Sequence, residues 1–213
     1  MKSALITAVA GAALIAGMPS ASAQLTCAEL GGTVDVDQVC HVHSTAAAYS
    51  MDIDFPLGYP DEQAVAGYLE QSRADFLSWV AEFGGGHRRY LHDVTAEKYQ
   101  SSGTQSLVLT VHDDTGLGHE DHPGTTYQAF NYDAAKHVPI TVDTLFKPGT
   151  DPVPVLNSIV GRKLDGLDAT TYRNFAITDD AVIFFFGEDE IVADNDGPHQ
   201  VSVPRSELAP LLA

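Results

Sequence analysis

The sequence predicts an α+β fold in which strands dominate and are packed by two main helices and a short C-terminal helix. Three observations carry this. Period-two alternation of apolar and polar residues recurs in many short segments. Sustained helical spacing of apolar residues occurs only twice. Strands and helices do not follow one another in the regular βαβ order of a doubly wound sheet.

Taken in chain order, Tyr49, Met51, Ile53 and Phe55 alternate with Ser50, Asp52 and Asp54, the pattern of a half-buried strand. The stretch 56–60, bounded by two prolines, is a turn. Asp61 then stands where a helix N-cap is wanted, and Glu62 suits the positive end of the helix dipole. Val65, Tyr68, Leu69, Phe76, Leu77, Val80 and Phe83 fall at helical spacing, with Trp79 at the apolar edge, and Gly84-Gly85-Gly86 ends the run. Strands are predicted over 89–99 and 105–111, joined by the turn Ser101-Ser102-Gly103. A polar loop follows over 113–124, then strands over 125–133 and 140–146. Val155, Leu156, Ile159, Val160 and Leu164 predict a second helix over 152–164. Closing strands are predicted over 175–178, 181–186 and 200–203. Pro204 then opens a terminal helix over 206–212, since proline is tolerated in a first helical turn.

The front of the chain has a different character. Lys2, an apolar stretch over 4–18, Pro19 and the small-residue signal Ala21-Ser22-Ala23 make residues 1–23 an expected export leader. The apolar stretch falls short of the roughly 20 residues a membrane span requires, although an uncleaved anchor is the rival reading. No later segment is apolar enough to cross a bilayer. The expected organisation is therefore a signal peptide over 1–23, an N-terminal disulfide loop over 24–46 and a single α+β domain over 47–213. The expected location is extracellular or in the cell wall. Two cysteines, Cys27 and Cys40, fit one disulfide in an oxidising compartment. The formal charge of −18 becomes −19 once the leader, with its one Lys and no acid, is removed. Such a field opposes binding to nucleic acid and to anionic lipid and keeps an exported domain soluble.

Three stretches of the second half carry a resemblance. They are Asp143-Thr144-Leu145-Phe146-Lys147-Pro148-Gly149, the run from Asn174 through Asp179-Asp180 to Phe184-Phe185-Phe186, and Val201-Ser202-Val203-Pro204-Arg205-Ser206-Glu207-Leu208. Together they resemble the secreted immunogenic proteins of mycobacteria, which share a C-terminal domain with lysozyme-sensing anti-sigma factors. The resemblance implies a curved mixed sheet and an envelope or extracellular setting. It also implies either an esterase, with a small ester as substrate, or a binding module for an envelope glycan or a protein such as lysozyme. No cofactor is expected.

The residues themselves offer no self-sufficient catalytic motif. The G-x-S-x-G elbow of the common hydrolase fold is absent, although a Ser–His–acid set can be assembled through a fold without local motifs. Ser101, Ser102, Ser106 and Ser158 are candidate nucleophiles, turn or surface duty being the simpler account of each, and no catalytic set is assigned. The densest polar cluster is His112-Asp113-Asp114 with His119-Glu120-Asp121-His122. Imidazole and carboxylate suit zinc, so His112, His119 and His122 are the candidate ligands, with His41 and His43 as neighbours on one strand face. The competing reading, a solvated acidic loop, is favoured because the Gly-rich segment lacks a rigid scaffold. Asp114-Thr115-Gly116 matches the aspartic-protease triplet but has no second copy. The acidic runs 188–190 and 194–196 lack the ligand order of a calcium loop. Tyr90, Tyr99, Tyr127, Tyr132 and Tyr172 could stack on sugars, but alternate positions on strands are more often core.

Overall fold

The computed structural model describes residues 27–84, 89–114, 124–188, 190–191 and 197–213. The expected signal peptide and the loop residues His119 and His122 lie outside them. Among the described residues there are ten strands: β1 (Thr33–Val34), β2 (Val39–Thr45), β3 (Tyr49–Pro56), β4 (Tyr90–Gln100), β5 (Thr104–Asp114), β6 (Gly124–Asp133), β7 (Val138–Pro139), β8 (Phe175–Ile177), β9 (Ala181–Phe186) and β10 (His199–Pro204). The helices are α1 (Glu62–Phe83), α2 (Val142–Leu145), α3 (Val153–Lys163) and α4 (Arg205–Leu208). The fold is α+β, as the alternation patterns predicted.

Strands β1 to β7 form one sheet in chain order. Every neighbour pair is antiparallel except β3 and β4, which run parallel with Met51 opposite His92. A parallel pair cannot be closed by a hairpin, so α1 makes the crossover and lies on one face of the sheet. The Asp61 carboxylate accepts the Ala64 N–H at 3.3 Å, which satisfies one of the free donors of the first turn. Val65, Leu69, Phe76 and Val80 are the buried stripe of α1. They meet Met51, Ile53, Phe55, Tyr90, Val94, Leu107, Leu109 and Val111 from the inward positions of three strands, β3, β4 and β5. Burying each such side chain contributes about 1.5–3 kcal/mol. At the end of α1, a Cβ on Gly84 would come within 2.2 Å of the Val80 carbonyl, so the chain turns there on a residue without one.

A second sheet, ordered β10-β9-β8 and antiparallel, packs on the opposite face at β5 and β6. The Phe184-Phe185-Phe186 run breaks alternation because both of its faces are covered. Phe184 and Phe186 enter a core with Leu156, Ile159 and Val160 of α3 and Leu208 of α4, while Phe185 meets Val108 across the sheet interface. The two sheets are tied by buried polar bonds. The Ser106 hydroxyl donates to Asn131 Oδ1 at 2.6 Å and accepts the Ile177 N–H at 3.0 Å, and Asn131 Nδ2 donates to the Phe175 carbonyl at 2.8 Å.

Cys27 and Cys40 form the expected disulfide, which joins the start of the described chain to β2. Both sulfurs sit beside Gly32, where a Cβ would approach each within 2.9 Å. Three local expectations differ from the structure. The segment 39–45 is a strand that sequence patterning left in the loop, because its outward positions carry His41 and His43 in cross-strand pairs with acids. Residues 140–146 form no strand. Thr141 and Thr144 build a capping box that winds α2 instead. The terminal helix is shorter than expected, ending at Leu208 ahead of Pro210. Among the described residues no helix is long and apolar enough to cross a membrane.

Candidate functional site

Strand β4 turns Tyr90, His92 and Val94 toward α1 and Leu91, Asp93 and Thr95 away from it. One core position is thereby occupied by an imidazole. His92 is 1 % exposed, and its ring stacks on Phe76 of α1 with centroids 4.9 Å apart and planes 23° from parallel. A ring buried so completely must satisfy both nitrogens. His92 Nδ1 lies 2.6 Å from Asp113 Oδ1, the residue directly opposite it on β5. His92 Nε2 lies 3.4 Å from the hydroxyl of Ser72, which α1 lowers onto the sheet. The Asp113 carboxylate accepts a hydrogen bond from Nδ1–H, and this assigns Nε2 as the acceptor for the Ser72 O–H.

One turn before Ser72 on the same helix face stands Tyr68, half-buried against Phe130 at 6.1 Å between ring centroids. Burial, and then the negative charge of Asp113, push the Tyr68 pKa upward, with the Arg173 guanidinium pulling against them. Three polar groups from three elements therefore form one chain: Asp113 of β5, His92 of β4 and Ser72 of α1. Chemically the order is acid, base, hydroxyl. A carboxylate that fixes the imidazole tautomer, and an imidazole placed to accept a serine proton, are the parts of an activated nucleophile. The contact between Ser72 and His92 is longer than a tight hydrogen bond, a spacing common when no substrate is bound.

Three of the four serines singled out from sequence, Ser101, Ser106 and Ser158, have their hydroxyls engaged elsewhere. Ser101 bonds the Thr104 hydroxyl at 2.7 Å, and the Ser102 N–H donates to Asp179 at 2.8 Å. Ser106 ties the two sheets, and Ser158 accepts from Arg162 at 3.0 Å. Of the proposed zinc ligands, His112 places Nδ1 2.8 Å from the Thr125 hydroxyl. His41 and His43 face outward from β2. His41 is held between Asp54 at 2.7 Å and Asp35 at 3.0 Å, and His43 pairs with Asp52 at 2.6 Å. Among the described residues no group of three His, Cys, Asp or Glu is arranged to hold a metal. The tyrosines are packing residues: Tyr90 and Tyr172 are buried, Tyr99 and Tyr127 lie on Phe185, and Tyr132 packs against the main core.

Sequence reading missed Ser72 and His92, and placed Asp113 only in an acidic cluster. The signal was available: a histidine at an inward step of the alternation Tyr90–His92–Val94, and a serine at helical spacing from Tyr68, Leu69 and Phe76.

Residues 143–206 match a family described as a protein of unknown function, DUF3298. Over nearly the whole length of both chains (99 % of each), the sequence is 40 % identical to the esterase Rv3036c of Mycobacterium tuberculosis. It is 39 % identical to the immunogenic proteins MPB64 of Mycobacterium bovis and MPT64 of Mycobacterium tuberculosis, with 92 % of each chain covered. In structure it is similar to a DUF3298 family protein from Pseudomonas aeruginosa, with a TM-score of 0.59 at 16 % identity over 84 % of this chain and 95 % of that one. A family member from Bacteroides fragilis superposes with a TM-score of 0.54 at 15 % identity, covering 85 % and 94 % of the two chains. At these identities the structural likeness speaks for the fold alone.

Proposed function

Because this chain belongs to the family of the mycobacterial immunogenic proteins MPB64 and MPT64 and the esterase Rv3036c, we propose that it is an exported carboxylic ester hydrolase acting on short-chain acyl esters. The observation that carries the reading is the Ser72–His92–Asp113 chain, with contacts of 3.4 Å and 2.6 Å. Ser72 Oγ attacks the acyl carbon as His92 Nε2 takes its proton. The alcohol leaves with that proton, and a water deprotonated by His92 then releases the acid. Asp113 holds the ring in the tautomer this requires. The leader over 1–23 is removed on export in this proposal, and the Cys27–Cys40 bond closes outside the cytoplasm.

The test is turnover of p-nitrophenyl butyrate by the mature protein and by Ser72→Ala. The expected result is loss of at least about 10³-fold in kcat/KM, with unchanged circular dichroism. Full turnover by Ser72→Ala contradicts the reading. One observation favours a second reading, a non-catalytic extracellular module that binds an envelope glycan or a protein such as lysozyme. His92 is 1 % exposed, whereas the Asp113 side chain is 38 % exposed, so the same chain of bonds could serve only to tie α1 to the sheet. In that case wild type shows no turnover and Ser72→Ala lowers stability alone.

A further inference from the structure

Resting on the ester-hydrolase reading, we infer that Phe76 is a positioning residue of this site. Its ring is the plate that holds the His92 imidazole in plane and stabilises the imidazolium formed during acyl transfer. The two rings stack with centroids 4.9 Å apart and planes 23° from parallel. Phe76 follows Ser72 by four residues on α1, so the two are neighbours on one helix face. A single turn of helix thereby brings the hydroxyl to the Nε2 edge of the imidazole and an aromatic ring to its face.

Each contact constrains a different motion. The bonds to Asp113 at 2.6 Å and to Ser72 at 3.4 Å are made at the edge of the imidazole. Two such bonds leave one freedom, a tilt of the ring about the line joining the two partners. A tilt turns the Nε2 lone pair away from Ser72 Oγ, and a hydrogen bond weakens steeply with misalignment. A flat ring against the face removes that tilt. Phe76 can act as the plate because it is itself fixed: it is 5 % exposed, and Tyr49 of β3 meets it at 89° with centroids 5.9 Å apart. An aliphatic side chain would fill the space but offer no plane to stack on.

The second contribution is electrostatic. As Ser72 Oγ bonds to the acyl carbon, its proton passes to His92 Nε2, and the ring stays positively charged until that proton leaves with the alcohol. His92 is 1 % exposed, so water does little to solvate the charge. The Asp113 carboxylate offsets it at one edge. The face of a phenyl ring is the negative part of its quadrupole, and a cation resting on such a face gains most where water is excluded. The neutral imidazole of the resting protein gains less. The stack therefore favours the charged state through which acylation and deacylation both pass, which is the condition for accelerating them.

Phe76→Leu keeps apolar bulk and removes the plate. With p-nitrophenyl butyrate, kcat should fall by about 10- to 100-fold while KM changes little. Nitrogen-15 NMR of the histidine rings should show one Nδ1–H tautomer for His92 in wild type and an averaged signal in Phe76→Leu. Val80→Ala, a core truncation on the same stripe of α1, reports a purely structural loss and should keep kcat per folded molecule. Should Phe76→Leu fail to fold, Tyr49→Leu, at a half-buried position, loosens the plate from behind and should lower kcat by about 2- to 10-fold. Wild-type kcat and a wild-type His92 signal in Phe76→Leu, or in Tyr49→Leu where that is the variant that folds, overturn the Phe76 assignment alone. Equal losses of kcat in Phe76→Leu and Val80→Ala overturn it too. Full turnover in Ser72→Ala overturns the underlying reading, and the Phe76 role with it.

Discussion

His92 and Asp113 stand directly opposite one another on β4 and β5, with Nδ1 2.6 Å from Oδ1. Strand register places the two residues opposite one another, so the pairing is built into the sheet. Asp113→Asn keeps the shape but can donate where the carboxylate accepted, which allows the ring to adopt the opposite tautomer. The expected outcome is a drop in kcat/KM of about 10²- to 10⁴-fold with the fold intact. Ester turnover and thermal unfolding of the same preparation check both halves of the statement.

Ser106 provides the contrast. Its hydroxyl is buried and bonded to Asn131 and Ile177, with a part in holding the sheets together and none in the proposed chemistry. Ser106→Ala strips a donor from Asn131 and an acceptor from the Ile177 N–H, and should cost about 1–3 kcal/mol of stability. Urea unfolding measures the cost. Turnover per folded molecule should match wild type.

The disulfide closes a loop with a sequence separation of 13 residues. In the chain-entropy account a loop of this size contributes about 3 kcal/mol. Replacing Cys27 and Cys40 together by Ala should lower unfolding free energy by about that amount, read from urea titrations with and without reductant. Reductant should shift the wild-type curve and leave the double variant where it is.

His41 predicts a pH effect confined to the N-terminal hairpin. Its ring sits between Asp35 and Asp54, and the bond to Asp35, followed by that to Asp54, raises its pKa above 6.5. The bond to His41, reinforced by the Val39 N–H, lowers the pKa of Asp35 below 3.8. The sign follows from linkage. The raised histidine contributes stability that is complete below pH about 6.5 and is lost as pH rises through its folded value. The depressed carboxylate contributes above pH about 3.8 and is lost as pH falls through its own folded value. The clip is therefore strongest between those limits and loosens as pH rises through the folded value of His41. Titration of the His41 ring by NMR should give a midpoint above 6.5, returning toward it in Asp35→Asn.

How much of this was legible beforehand depends on which force decided each element. The α1 stripe, its Asp61 cap and the strand over 49–56 follow from hydrophobic period and end chemistry, and both are written locally. The disulfide was legible from cysteine count and compartment. Strand β2 was hidden because its outward residues, His41 and His43, take part in cross-strand pairs that no local pattern reveals. The helical turn α2 was hidden because the Thr141–Thr144 capping box overrides an apolar run that reads as strand. The Ser72–His92–Asp113 chain draws on residues 20 and 21 positions apart, joined only when α1 crosses over between β3 and β4. Its one local trace is an imidazole at an inward step of a strand, where a buried polar ring demands partners that the sequence does not name.

The most direct measurement is the location of covalent modification by an active-site phosphonate. The mature protein is treated with an alkyl fluorophosphonate, digested and read by tandem mass spectrometry. The adduct should fall on Ser72, appear in step with loss of ester turnover, and form far more slowly in Asp113→Asn. Complete loss of turnover with Ser72 unmodified, or an adduct on another serine, would contradict the account.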